Sequence, residues 1–391
     1  MTDWPFGGKS RLEALKNVDG WLVLWTVALL LCGLVFIGSA TRGDPQFDGQ
    51  QSRQALFAAV SLGVGFFVLL PHYVHVVRAA WLIYGVTVLA LVGLPFFAPE
   101  INGARRWYAF PGFSIQPSEF AKLAAVLALA AFLRFKSRAH AFEALVLPMA
   151  LVAVPALLIL RQPDLGSSMV FGPVLLAMCY AAGASLRSIL GLCVLGLGVA
   201  VLAWFEVMHP YQKDRVLVWW QHWSWNETNL DSWAVRDVLR NQGYQPWQAL
   251  IAMGAGGFSG FGIGHGPQNR YDFLPYRSED YLAAVVGEET GWLGITAVLG
   301  GIALLVYGLL AVAQRTRERF GRLVCVGVAT WIGTQSLVHV AVCGWLIPST
   351  GLPLPLLSYG GSSTMATLLG IAVCLNIGAR REPILAADGF R

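Results

Sequence analysis

Charge is what this sequence has least of. Asp, Glu, Lys and Arg make up 13% of its 391 residues, about half the share in an average soluble domain. The hydrophobic share is 56% and the mean hydropathy +0.59. A soluble globular enzyme, a disordered tail and a nucleic-acid binder are thereby excluded. Cysteine is sparse too. The six include no C-x-x-C pair, so neither a disulfide framework nor a zinc site is indicated. Cys32, Cys179, Cys193, Cys325, Cys343 and Cys374 lie in or at the ends of apolar runs, where small thiols pack as core. The chain also lacks a G-x-x-x-x-G-K-S/T loop, a strong internal repeat and any low-complexity tract.

Long apolar runs and aromatics are abundant. Fifteen Trp, 11 Tyr and 21 Phe suit two membrane interfaces, where amphipathic rings collect. A helix needs about 20 mostly apolar residues to cross a bilayer. Ten segments qualify, near 21–40, 54–70, 79–98, 118–134, 143–160, 167–183, 187–207, 282–312, 323–347 and 363–379. The first follows a basic stretch (Lys9, Arg11, Lys16) without a convincing cleavage site, so it is expected to be retained. An even count puts both termini on one side. With that side inside, Lys9, Arg11, Lys16, Arg78, Arg134, Lys136, Arg138, Arg187, Arg315, Arg317, Arg319, Arg322, Arg380, Arg381 and Arg391 are internal, whereas Arg42, Arg53, Arg105, Arg106 and Arg161 are external. This bias orients the chain with cytoplasmic termini. The expectation is an all-α polytopic membrane protein, one membrane domain over 1–391. It has about ten transmembrane helices, a large extracytoplasmic loop at 208–281 before the eighth, and a broken re-entrant segment before the tenth. The loop region is dense in Trp (Trp204, Trp219, Trp220, Trp223, Trp225, Trp233, Trp247). That density fits either anchoring along the outer interface or a substrate-lining role.

Polar groups near a bilayer are costly and mark function. Five places stand out, all at outer ends of spans. Asn102-Gly-Ala-Arg-Arg-Trp107 precedes Gln116-Pro-Ser-Glu-Phe-Ala-Lys122. Pro117 suits a first helical turn, and Glu119 and Lys122 share a face. They either neutralise each other, or Lys122 and Arg106 meet a phosphate beside a helix N-terminus. In Arg161-Gln-Pro-Asp-Leu-Gly166, Asp164 reads mainly as a helix cap. The run Gly254-Ala-Gly-Gly-Phe-Ser-Gly-Phe-Gly-Ile-Gly-His-Gly266 follows no strand and reads as a flexible or tightly turning outer loop. Leu274-Pro-Tyr-Arg-Ser-Glu-Asp280 comes just before a span containing Gly287-Glu-Glu-Thr-Gly291. Asp280 is either the N-cap acid of that span or a general base facing an external substrate. Lastly, Pro348–Ser363 holds three prolines and three glycines, which forbid a regular helix. Such backbone at membrane depth lines a cavity or packs in protein. Ser358, Gly360, Gly361 and Ser362 are candidates to offer N–H groups to a ligand.

In this order these motifs resemble the SEDS family of shape, elongation, division and sporulation proteins. The resemblance runs from the first span to the last and rests on Pro348–Ser363, Gly103–Trp107 with Gln116–Lys122, and Gln162–Gly166. His209-Pro-Tyr-Gln-Lys-Asp-Arg215 and Asp19-Gly-Trp21 lean towards its rod-shape (RodA) branch. The resemblance implies a ten-helix peptidoglycan glycosyltransferase that polymerises lipid II outside the cytoplasmic membrane for elongation and shape. It implies a class B penicillin-binding protein as partner, within the elongation machinery and among membrane lipids. The family's catalytic Asp falls on Asp280. Tyr276 and Glu279 depart from the surrounding pattern, where Glu and Thr are usual; His339 stands where Asn is common and Trp345 where Gly is common. Glu279 is expected to raise the pKa of Asp280 by like-charge repulsion. Arg106, Lys122 and Arg53 are expected to neutralise the departing pyrophosphate, alone or with a divalent cation, Mg or Mn. Trp107, Gln116, Ser118 and Glu119 complete the substrate contacts, and Asp164, Glu288 and Glu289 support them. Two rivals remain at this level: a lipid II flippase and a non-catalytic scaffold for a penicillin-binding protein.

Overall fold

Caps and prolines in the sequence set where the helices begin. In the computed structural model, which describes residues 15–42, 47–101, 103–135, 143–225 and 232–380, Asp19 accepts hydrogen bonds from Trp21 N and Leu22 N and opens α1 (Gly20–Ala40). Lys9, Arg11, Asn102, Lys136, Arg138, Arg381 and Arg391 lie outside the described residues. α2 (Gln50–Leu69) and α3 (Val74–Phe97) follow. A hairpin, β1 (Tyr108–Phe110) and β2 (Phe113–Ile115), pairs Tyr108 with Ile115 and Phe110 with Phe113. This hairpin is an addition to the expected all-α fold. Pro117 starts α4 (Pro117–Leu133) at its first turn. Then come α5 (Glu143–Arg161), α6 (Leu165–Met169), α7 (Phe171–Ala181) and α8 (Leu186–Glu206), the last capped by Ser185.

The segment 208–281 carries four shorter helices: α9 (Pro210–His222), α10 (Trp233–Arg240), α11 (Tyr244–Ala255) and α12 (Pro267–Arg270). The chain ends with α13 (Leu282–Arg315), α14 (Arg319–Cys343, capped by Glu318) and α15 (Gly361–Ala379).

All ten apolar segments read from the sequence are helical. Seven helices among the described residues (α1, α2, α3, α8, α13, α14, α15) are long and apolar enough to cross a membrane by length and composition. The other three segments are α4, of 17 residues; α5, whose apolar stretch Val146–Arg161 contains Pro148 and Pro155; and α6–α7, which together run from Leu165 to Ala181.

Layering follows side-chain size. α4 is rich in alanine and buries 15 of its residues; small side chains let neighbouring helices approach closely where the hydrophobic effect gives no drive. α3, α14, α5 and α15 pack around it, while α3 and α8 turn their other faces outward, with only 17% of their apolar windows buried. Leu82, Leu89, Phe96, Phe97, Val194, Leu197 and Phe205 on those outer helices are exposed. Such a belt is stable against acyl chains, not water. The chain is a multi-pass membrane protein.

Candidate active site

α13 is two helices joined at Gly291, whose φ of 66° and ψ of −162° no other residue type adopts readily. A break exposes backbone groups that hydrocarbon cannot satisfy. The glycine-rich run satisfies them: Phe261 N donates to Glu288 O (3.1 Å) and Gly262 N to Glu289 O (2.8 Å), while Trp292 N and Leu293 N donate to Gly257 O (2.9 Å) and Phe258 O (3.2 Å). A Cβ on Gly260 would collide with the Glu289 carbonyl. Of the flexible or tightly turning loop the sequence suggested, the run is the tightly turning one, with left-handed Gly257, Gly260, Gly262 and Gly264, and it forms a pad pressed onto the break. Glu288 and Glu289, both buried, fasten it. Glu288 accepts from Gln268 N and Asn269 N, and Glu289 from Ser39 Oγ and Asn269 Nδ2.

Asp280 lies just before this anchored helix. Its own N–H donates to Tyr276 O (3.0 Å). The N-cap position belongs to Tyr281, which makes no side-chain cap bond, so Asp280 is not the cap acid that one sequence reading made it. Its carboxylate instead faces Gly351 in the irregular 344–360 segment. Burial pushes its pKa up to about 6, with Arg215 and Arg106 pulling down and Asp164 pushing up. The expected like-charge effect of Glu279 runs the other way. Glu279 is the one raised, to about 7, by its burial and then by the Asp280 charge, because its carboxyl is the more costly of the two to ionise.

Four of the five motifs meet here. Arg106 donates from Nε to Gln162 O (2.7 Å) and from Nη2 to Pro163 O, with its guanidinium 6.0 Å from the Trp107 ring centroid. Asp164 accepts from Ser167 N (3.0 Å), capping α6, and from Gln116 Nε2 (3.4 Å). Gln116 N donates to Ser362 Oγ (3.0 Å). Tyr359 N donates to Ser278 O (2.8 Å). Arg53 hydrogen-bonds the Tyr359 hydroxyl, whose pKa burial raises.

Two expected contacts are not assembled. Lys122 is 2% exposed. Its Nζ lies 2.7 Å from Glu119 Oε1 and 2.8 Å from Gln335 Oε1, above the Trp331 ring. It is paired inside the helix layer, not open to a phosphate beside Arg106. Ser118 Oγ and Glu119 Oε2 are buried there without a partner. The Ser358 and Gly360 amides are likewise consumed, donating to Leu354 O (2.9 Å) and Gln54 Oε1 (3.1 Å). Gly361 and Ser362 open α15, where first-turn amides have no helical acceptor.

Sequence reasoning missed Arg215, His339 and the role of the tryptophans. Arg215 donates to Ser349 O (3.1 Å) and to Tyr211 Oη, stacked 4.4 Å over that ring. Its signal was the His209–Arg215 motif, read only for its branch. His339 is 1% exposed. Ala283 N donates to its Nε2 (3.3 Å), so Nδ1 carries the proton and donates to Leu352 O (2.7 Å). It ties the start of α13 to the residue after Gly351. Trp345 is buried at a left-handed φ of 52°. His222 stacks on it at 4.4 Å, and Trp225 and Trp247 meet it edge-on. These loop aromatics clamp α9 to the irregular segment, whereas Trp220, Trp223 and Trp233 are exposed. Among the described residues no group of three or more His, Cys, Asp or Glu converges as a metal cage.

Comparison with known proteins adds three findings. The FTSW_RODA_SPOVE family model, described as cell cycle protein, matches residues 21–382. A probable peptidoglycan glycosyltransferase FtsW of Geobacter metallireducens is 33% identical over 389 residues, covering 96% of this chain and 98% of its own length. That of Nitrosococcus halophilus is 35% identical over 372 residues, 92% of each. Among solved structures, the rod shape determining protein RodA of Thermus thermophilus is 28% identical with a TM-score of 0.66, covering 93% of this chain and 97% of its own. A chain from a structure described as structural coordination of polymerization and crosslinking by a peptidoglycan synthase complex is 29% identical with a TM-score of 0.76, covering 94% and 99%. The names divide between FtsW and RodA, so the rod-shape assignment is not carried forward.

Proposed function

Since the chain belongs to the FtsW, RodA and SpoVE family of cell cycle proteins, we propose that it is a peptidoglycan glycosyltransferase that polymerises lipid II, with Asp280 as general base. The observation that carries this reading is a carboxylate just before α13 that faces Gly351, with burial raising it to about 6 against the pull of Arg215 and Arg106. A base of that pKa is ionised at neutral pH yet still accepts a proton in the transition state.

The acceptor's sugar 4-hydroxyl attacks the donor's anomeric carbon as Asp280 takes its proton. The bond from that carbon to the pyrophosphate oxygen breaks, and the electron pair leaves with the lipid pyrophosphate. Arg106 and Arg215, both felt electrostatically at Asp280, and Arg53 beside Tyr359 are placed to meet that developing charge. Carbonyls hold Arg106 and Arg215 in place, so little reorganisation is needed.

Arginine and lysine placement supports cytoplasmic termini and a site at the outer face of the bacterial cytoplasmic membrane. A class B penicillin-binding protein that crosslinks the product is the partner this reading requires. A flippase is expected to gather titratable groups at the midplane, whereas here they gather at one face. A scaffold has no use for the Asp280 geometry.

The deciding experiment is polymerisation from purified lipid II, with and without the partner. Asp280→Asn is expected to insert and fold yet make no glycan. Full activity in that variant would remove Asp280 as base.

A further inference from the structure

We propose that Gln335 is a positioning residue, which from inside the helix layer holds the 349–353 strap, and with it Gly351, against Asp280; this role rests on the reading of Asp280 as the general base. Residues 348–354 form no regular secondary structure, and Pro348 and Pro353 bring no N–H. Among the described residues, none of 347–353 enters a backbone–backbone hydrogen bond. Side chains hold the strap's carbonyls instead. Ser349 O accepts from Arg215 (3.1 Å), Leu352 O from His339 (2.7 Å) and Pro353 O from Gln335 Nε2 (2.8 Å). Gly351, which faces Asp280 Oδ2, lies between the first of these holds and the other two.

Gln335 and His339 stand four apart on α14, so they share a face, and both reach the strap. His339 also accepts from Ala283 N. The face that carries the strap therefore carries the start of α13 as well. Asp280 comes three residues before Ala283, and Gly351 comes just before Leu352. One face of one helix thus sets both the base and the residue that confronts it.

The amide of Gln335 is aimed by its own network. A primary amide can be turned end for end, and only its N–H end serves a carbonyl. Here Oε1 accepts twice, from Lys122 Nζ (2.8 Å) and from Trp331 Nε1 (2.8 Å). Both of those groups donate only, so the other end is committed to Pro353 O. Either donor fixes the orientation, and Trp331 keeps the amide aimed when Lys122 is changed. Gln335 is 0% exposed, closed to water and to substrate alike. A polar group buried at membrane depth is costly unless it is satisfied. This one is satisfied at both ends, and the end that leaves the helix layer goes to the strap.

The test is polymerisation from purified lipid II by the full-length protein with its partner, comparing Gln335→Met, Gln335→Asn and Asp280→Asn, with rates normalised to folded protein. Met keeps the volume and loses every bond. Asn keeps the amide but is one methylene short, so it cannot span Trp331 Nε1 and Pro353 O together; it carries the test should Gln335→Met leave little folded protein. Both are expected to lower kcat at least about tenfold with KM within about twofold, since a misplaced base slows turnover without weakening binding. Hydrogen exchange should quicken across 349–354 and stay at the wild-type rate in α1 and α8. A wild-type kcat, a raised KM at unchanged kcat, or exchange that quickens in all helices alike would overturn the proposal. Failure of both Gln335 variants to fold would overturn it too, making Gln335 a packing residue. Asp280→Asn keeps the two readings apart. If that variant polymerises, Asp280 is not the base and Gln335 has nothing to position. If it is inactive while the Gln335 variants turn over normally, Asp280 stands and only the role of Gln335 falls.

Discussion

Asp280 and Gly351 touch: a Cβ added to Gly351 would stand 3.4 Å from Asp280 Oδ2. Gly351 also holds a φ of 69°. The residue facing the base is thus fixed twice, by conformation and by proximity. Gly351→Ala is expected to cost about 1–2 kcal/mol from the left-handed backbone alone and to crowd the carboxylate. Polymerisation rate should fall further than the loss of folded protein accounts for. Parallel rate and thermal-unfolding measurements check this; equal losses would make Gly351 a purely structural glycine.

Asp280 titrates near 6 in the fold against 3.8 for a free side chain. Its folded pKa is raised, so its contribution to stability is fully present below pH 4 and is lost as pH rises through 6. Its activity runs oppositely, growing as the carboxyl ionises. Activity should therefore rise with an apparent pKa near 6. Asp280→Asn should be more stable than wild type at pH 7 by about 1–2 kcal/mol, a full shift being discounted for partial exposure. A less stable Asp280→Asn would show that the ionised carboxylate is well solvated.

Lys122 and Glu119 form a closed pair. Removing one partner of a buried pair costs about 3–5 kcal/mol, while replacing both with apolar or neutral groups of similar volume is often harmless. Lys122→Ala should deplete the folded protein. The double change Lys122→Met with Glu119→Gln should restore abundance and, with it, polymerisation. A double variant that folds but uses donor poorly would return Lys122 to the substrate.

His339 holds Ala283 and Leu352 together through both ring nitrogens. Asn offers one donor and one acceptor, so His339→Asn should retain most activity. His339→Phe loses both bonds and should lower kcat with little change in KM. A changed KM with an unchanged kcat would separate His339 from the positioning of Asp280.

The convergence of Arg106, Gln116, Asp164, Asp280 and Ser362 was legible because polar side chains, prolines and glycines are expensive against an apolar background and stand out. Lys122 was as visible, yet one sequence cannot say whether a buried ammonium is spent on its own helix. The glycine-rich run was left between flexible and tightly turning because its hydrogen-bond partners lie about thirty residues downstream, across a break that only Gly291 hinted at. Arg215 and the Trp345 cluster depend on how 208–281 folds back, and short polar helices leave little periodicity to read. The 108–115 hairpin, three residues a strand, left no alternation long enough to notice.

The pad at Gly257–Gly262 emerges from the ribosome before the helix halves it joins. Until Glu288 to Leu293 follow, its amides and carbonyls lack these partners. This strip of backbone is consequently closed only by one that follows it about thirty residues later. Truncation anywhere before Leu293 leaves a chain whose exterior cannot finish itself.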